Sequence, residues 1–119
     1  MIPTDLEPYY FDLEILQQTA NQVTKDFEQH GEEIVFSGNV FTAYDELFIQ
    51  VKTVLLRLSQ NNHSYFLNLL YRIDVDEKVI QNHQSRVFET DYFDKLTDAV
   101  LKRELIKVIT RNYFKLKND

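Results

Sequence analysis

Residues 42–60, TAYDELFIQVKTVLLRLSQ, carry the strongest hydrophobic pattern in the chain and decide its fold. On a helix their main apolar side chains fall within an arc of about 120°, and most of the polar side chains fall outside it. The arc contains Tyr44, Leu47, Phe48, Val51, Val54, Leu55 and Leu58. This pattern predicts an amphipathic helix from about Thr42 to Gln60 with one face in a core. Ile49 and Leu56 lie on the opposite side, which predicts contact there with a second layer or a second molecule.

The segment before this helix, about Asp5 to His30, has a narrower apolar stripe at helical spacing. The stripe consists of Tyr9, Leu13, Leu16, Ala20, Val23 and Phe27. Thr4 is placed to cap such a helix and Glu7 to reach back three residues later, and Gly31 ends it. We therefore predict one long helix here, with Phe11 and Ile15 on the side away from the stripe.

Residues 32–39, EEIVFSGN, interrupt the helical pattern. β-branched and aromatic residues before Gly38 favour an extended segment, but one short strand has no partner within a helical chain. We predict an apolar connector laid across the end of the bundle. The alternative is an exposed strand edge that pairs with the same segment of a second subunit.

The second half of the sequence contains two shorter helical segments and one long one. Ser64 is placed to cap a helix that runs to Ile73, and Asp74 with Glu77 resembles a capping box that restarts a helix at Val75. These segments are one kinked helix or two, and 82–89 is predicted to be loop or a frayed helix end. A final helix is predicted from about Asp91 to Tyr113, capped by Thr90.

The apolar stripe of the final helix changes face near residue 100. Phe93, Leu96 and Val100 share one face, and the later apolar residues lie about 120° further round. Those later residues are Leu101, Leu105, Val108 and Ile109, while the first face continues as Arg103, Lys107 and Arg111. Either this helix is kinked or leaves the bundle to form an interface, or it is central and touches different neighbours of the same chain.

Together these segments predict an all-α fold, an antiparallel bundle of four principal helices in a single domain over 1–119. The sequence has no Cys, two Gly and two Pro, too few of each for a disulfide scaffold, a glycine-rich phosphate loop or the many turns of a β-barrel.

Charge is distributed unevenly along the chain. Residues 1–100 carry 7 basic and 17 acidic side chains, and residues 101–119 carry 6 basic and 2 acidic, within a total of −6. This asymmetry suits either a basic helix end interacting with its own dipole, or a basic end that docks on the acidic body of its own chain or another copy. The acidic total argues against nucleic acid as a partner, and we find no membrane-spanning run or signal segment, so a cytoplasmic location is predicted.

A metal site is the main chemical alternative. Asp91 and Asp94, with Asp26 and Glu28 from the first helix, are the carboxylates that a Mg²⁺-dependent all-α phosphohydrolase would use. In the first turn of a helix such acids are also favoured by the dipole alone. His30, His63 and His83 show no metal-ligand spacing, so we expect no metal or other cofactor.

The function predicted from the sequence is a non-enzymatic protein-interaction or self-association module, with a homodimer or another protein as the partner. The aromatic content and the change of stripe support it, since exposed aromatic residues mark association sites. The candidate interface residues are Phe11, Ile15, Ile49, Leu56, Arg103, Lys107, Arg111, Tyr113 and Phe114.

Overall fold

Helices account for most of the chain that the computed structural model describes, which is residues 5–30, 33–86 and 90–118. Within these ranges there are five α-helices and no β-strand, which confirms the all-α prediction. They are α1 (Leu13–Asp26), α2 (Ala43–Asn61), α3 (His63–Ile73), α4 (Glu77–Arg86) and α5 (Thr90–Asn118).

The first predicted helix is divided in two at Asp12. A short 3₁₀ helix, Glu7–Phe11, comes first with Pro8 in its first turn, where the missing proline N–H costs nothing. The Asp12 carboxylate then accepts a hydrogen bond from the Ile15 N–H at 3.1 Å and caps α1. The prediction of one continuous helix was therefore wrong, because Asp12, between Tyr9 and Leu13 of the apolar stripe, caps a new helix. The predicted cap Thr4 lies outside the described residues.

The connector between α1 and α2 runs beside the first half of α2 rather than across the end of the bundle. Exposure alternates along 33–37, with Ile34 and Phe36 packed against the core and the residues between them exposed, as expected for an extended segment. The side-chain amide of Gln50 both donates to the Val35 carbonyl at 2.9 Å and accepts from the Val35 N–H at 3.0 Å. Glu46 accepts the Ser37 N–H at 2.8 Å.

The third predicted helix is split into α3 and α4. Asp74 has a left-handed backbone with φ 71° and closes α3, so it is not the cap of the following helix. Asp76 instead accepts the N–H of Lys78, and α4 starts at Glu77. At the start of α3, Asn62 accepts the N–H of Tyr65 and takes the role predicted for Ser64. Of the segment 82–89, predicted to be loop or a frayed helix end, residues 82–86 continue α4, and 87–89 lie outside the described residues.

Helix α5 is the central element. Its 29 residues measure about 43 Å at the usual helical rise, close to the 45 Å length of the molecule, and it packs against each of the other four α-helices. It is antiparallel to α1, because partners on α1 fall from Asp26 to Gln18 as α5 advances from Lys107 to Asn112.

Two hydrophobic clusters explain the change of stripe along α5. Phe93, Leu96, Val100 and Leu101 belong to the main core formed with α1 to α4. Leu105 and Ile109 belong to a second cluster. The segment leading into α1 covers it with Leu6 and partly buried Tyr9 and Tyr10, and Ile15 from the first turn of α1 packs beside them. Leu101, predicted on the second face, packs in the main core, so the two faces of α5 contact different parts of the same chain only beyond residue 101.

Candidate functional site

The most exposed aromatic side chains meet where the first 3₁₀ helix approaches the start of α2. Phe41 is 78% exposed and Phe11 54% exposed, and their ring centroids are 6.3 Å apart. Behind them the Tyr10 and Tyr44 rings stack at 4.1 Å. Two phenylalanine rings that contact each other while both face water are typical of an association site rather than a core. We call Phe11 and Phe41 the aromatic face.

A surface depression of about 510 Å³ lies beside the aromatic face. It combines carboxylates with apolar side chains from the 3₁₀ helix and α5. Its lining residues are Asp5, Leu6, Glu7, Tyr10, Phe11, Lys102 and Ile106. The depression therefore fits a group that is both apolar and cationic.

A second pair of exposed aromatic rings lies at the end of α5. Tyr113 and Phe114 are 40% and 51% exposed, and their rings meet edge to face at 5.6 Å. Arg111 and Lys115 are exposed on either side of them. This basic-aromatic group, Arg111, Tyr113, Phe114 and Lys115, is called the α5 end below.

The predicted basic stripe of α5 makes contacts within the chain. Arg103 pairs with Asp74 at 3.3 Å, Lys107 with Asp26 at 3.0 Å, and Arg111 donates to the Gln22 side chain at 3.0 Å. Part of the basic end thus docks on the acidic body of its own chain, one of the two arrangements expected from the charge asymmetry.

A buried carboxyl group joins this stripe to α1. Glu104 has no exposed surface and accepts a hydrogen bond from Lys107 Nζ at 3.2 Å. As a carboxylate its buried Oε2 has no hydrogen-bond partner among the described residues, whereas a proton there can be donated to the neighbouring Asp26 carboxylate. Burial is the larger cause and the neighbouring Asp26 the second, and together they raise the pKa of Glu104 from 4.5 to about 8. At neutral pH the Glu104 carboxyl therefore carries the proton. Burial by itself would raise the pKa of Asp26, but hydrogen bonds from Glu104, Lys107 and Gln22 lower it overall.

The charges of this cluster cancel, as in a structural contact. Burial opposes the charge on Lys107, yet Asp26 and Glu104 raise the pKa of the amine overall, so it stays protonated. Lys107, Asp26 and the protonated Glu104 then sum to no net charge, and Gln22 links the cluster to Arg111 by hydrogen bonds.

The other predicted interface residues separate by burial. Ile49 is 62% exposed on α2, as predicted for a residue opposite the core face. Leu56 is partly buried against the main core, and Ile15 is partly buried against the second cluster. Ile49 also borders a small, mostly apolar cavity of about 120 Å³ between α1, α2 and the connector.

The carboxylates of the alternative metal site are not brought together. Asp94 pairs with Lys52 at 2.7 Å, and Glu28 pairs with Arg72 at 3.3 Å. Asp26 binds Lys107, which lies thirteen residues beyond Asp94 on the same helix, or about 20 Å. The side chain of Asp91 lies outside the described part, and in the part described no three His, Asp or Glu side chains converge as metal ligands.

Sequence reasoning missed Phe41 and Glu104. Phe41 falls between the connector and the patterned helix, so no periodicity marks it as exposed. Glu104 did have a signal, because it lies four residues from both Val100 and Val108 and thus on a buried stripe.

Comparisons with known proteins do not assign this site. No protein-family model matches the chain, and neither the curated proteins nor the solved structures contain a significant match. Across 5–30, 33–86 and 90–118, none of the helices combines the length and apolar character needed to cross a membrane.

Proposed function

We propose that this protein is a non-enzymatic module that associates with itself through exposed aromatic residues, in the cytoplasm. The observation that carries the proposal is the solvent-facing contact between Phe11 and Phe41. Burying a fully exposed phenylalanine ring contributes about 2 kcal/mol, so a partner that covers the exposed parts of both rings gains about 2–3 kcal/mol before the cost of association.

The aromatic face lies apart from the basic stripe of α5 that the sequence suggested as an association surface. Arg103, Lys107 and Arg111 already bind Asp74, Asp26 and Gln22 within the chain. Reversing their charges would therefore change the stability of the fold as well as any association. The aromatic face has no such role, because both rings are mainly exposed.

The proposal is tested by sedimentation velocity over about a hundredfold range of protein concentration. We expect the mean mass to rise with concentration for the native protein. Phe41→Ala should weaken association about tenfold or more without changing the thermal midpoint, because a truncated aromatic anchor typically costs over 1 kcal/mol in binding. Val35→Ala, which removes a similarly exposed apolar side chain from the connector, is the matched control and should associate normally. A native protein that remains monomeric throughout the range refutes the proposal.

A further inference from the structure

We infer that copies of this protein associate head to tail, with the α5 end of one copy docking in the depression beside the aromatic face of the next. The inference rests on the proposed self-association and adds which surfaces meet. It is carried by the matching chemistry of two separate surfaces on one chain.

The accepting surface carries a net negative charge around an apolar floor, because two carboxylates line it against one cation, Lys102, which pairs with Asp98 at 3.9 Å. Leu6, Phe11 and Ile106 line the depression, together with the Asp5 and Glu7 carboxylates. Neither carboxylate has a cation within ion-pair distance in the described part of the chain. Asp12, directly after Phe11, and Asp45, four residues after Phe41, also form no ion pair among the described residues. Its negative charge is therefore available to a partner.

The donating surface has the opposite charge and the same aromatic character. Arg111 is bound only to the uncharged Gln22 side chain, and Lys115 makes no ion pair among residues that the structure describes. Tyr113 and Phe114 present two ring faces between these cations. An aromatic side chain next to a cation fits an apolar depression edged by carboxylates.

The α5 end that enters the depression belongs to another copy, because α5 is a continuous helix and cannot bring its own end there. Ile106 lines the depression and Tyr113 lies seven residues later, about 10 Å further along the same rigid helix. The α5 end cannot bend back to reach its own depression without breaking that helix. A second copy supplies the same end without this constraint.

Charge also selects head-to-tail pairing over pairing of like surfaces. Two acidic depressions repel each other, and so do two basic α5 ends, whereas one of each attracts. Such a contact uses different surfaces on the two partners, so it closes into a ring or grows into a chain.

Two variants test the pairing in the full-length protein. The end variant carries Phe114→Ala and Lys115→Glu, and the depression variant carries Glu7→Lys and Phe11→Ala. These side chains are exposed, so both variants should keep the circular dichroism spectrum and thermal midpoint of the native protein. Each should weaken self-association at least about tenfold. Lys78→Glu, an exposed charge reversal on α4 outside the residues of both surfaces, should leave association unchanged.

Mixing the two variants gives the decisive measurement. Each variant alone should sediment as a monomer at a concentration where their equimolar mixture forms dimers, because the intact end of one meets the intact depression of the other. Association in neither the variants nor their mixture overturns the head-to-tail inference and indicates pairing of like surfaces. Undiminished association of either variant alone overturns it as well. In both cases self-association itself survives, whereas a native protein that is monomeric at every concentration refutes both proposals.

Discussion

Glu104 stands between Val100 and Val108 on the buried side of α5, where helical spacing favours an apolar side chain. Its proton, shared with Asp26, lets a carboxyl occupy that position without a buried net charge. The folded protein thus binds a proton that the unfolded chain releases near pH 4.5.

We expect the stability of the fold to fall as pH rises from about 4.5 to about 8, the folded-state pKa of Glu104. The folded state holds one more proton than the unfolded chain in this range, so the free energy of unfolding drops by at most about 1.4 kcal/mol per pH unit. Glu104→Gln keeps the shape and both hydrogen bonds without the titration. Urea unfolding at several pH values should show this slope in the native protein and a flatter profile in the variant.

Asp45→Asn provides the control for that experiment, because it removes an exposed carboxylate with no ion pair among the described residues. Its profile should keep the native slope. Equal slopes for the native protein and Glu104→Gln would show that Glu104 is not the titrating group. The lowered pKa of Asp26 acts in the opposite sense and removes stability only when pH falls through it.

At the scale of elements, the connector is attached through side chains rather than through a strand ladder. Gln50 supplies both hydrogen bonds to Val35 that a neighbouring strand would supply, and Glu46 binds Ser37. An extended segment is thereby held in a fold that has no strand within the described residues.

Gln50→Ala should release the start of the connector without unfolding the bundle. We expect faster hydrogen exchange of the Val35 amide, unchanged exchange of the Ser37 amide, and a loss of about 1 kcal/mol or less in unfolding free energy. Gln60→Ala, an exposed glutamine on the same helix, should change neither amide. Native exchange at Val35 in the Gln50 variant would mean that other contacts hold the connector.

The elements also show which features of sequence are sufficient for prediction. The predicted ends of α2 are each one residue from the observed ends, Ala43 and Asn61. The prediction is close because the apolar stripe extends over almost the whole helix. The break at Asp12 and the left-handed Asp74 were missed, because a stripe reports which face is buried and not where the backbone restarts. The exposed Phe41 was missed for a related reason, since its exposure depends on how the connector approaches α2.

At the scale of the whole molecule, α5 packs against all four of the other α-helices. Leu101 is buried in the main core, three residues before the buried Glu104 that contacts α1. Each of the other four α-helices therefore packs against α5 as well as against a neighbour along the chain.

Leu101→Ala should lower the unfolding free energy by about 2–5 kcal/mol and leave a single unfolding transition, because the cavity lies in a core that all helices share. Leu13→Ala, a substitution at an exposed position, should cost far less. Urea unfolding followed in parallel by circular dichroism and tyrosine fluorescence gives both measurements. Two separated transitions in the Leu101 variant would contradict a shared core.

The central position of α5 has a consequence during protein synthesis. The ribosome makes α1 to α4 before the helix on which all of them pack, and α5 is the longest of the five. Until it emerges, the apolar faces of Leu16, Leu55 and Leu70 lack their common neighbour. We therefore expect the nascent chain to complete its core only after α5 leaves the exit tunnel, with the faces that α5 covers exposed to solvent until then.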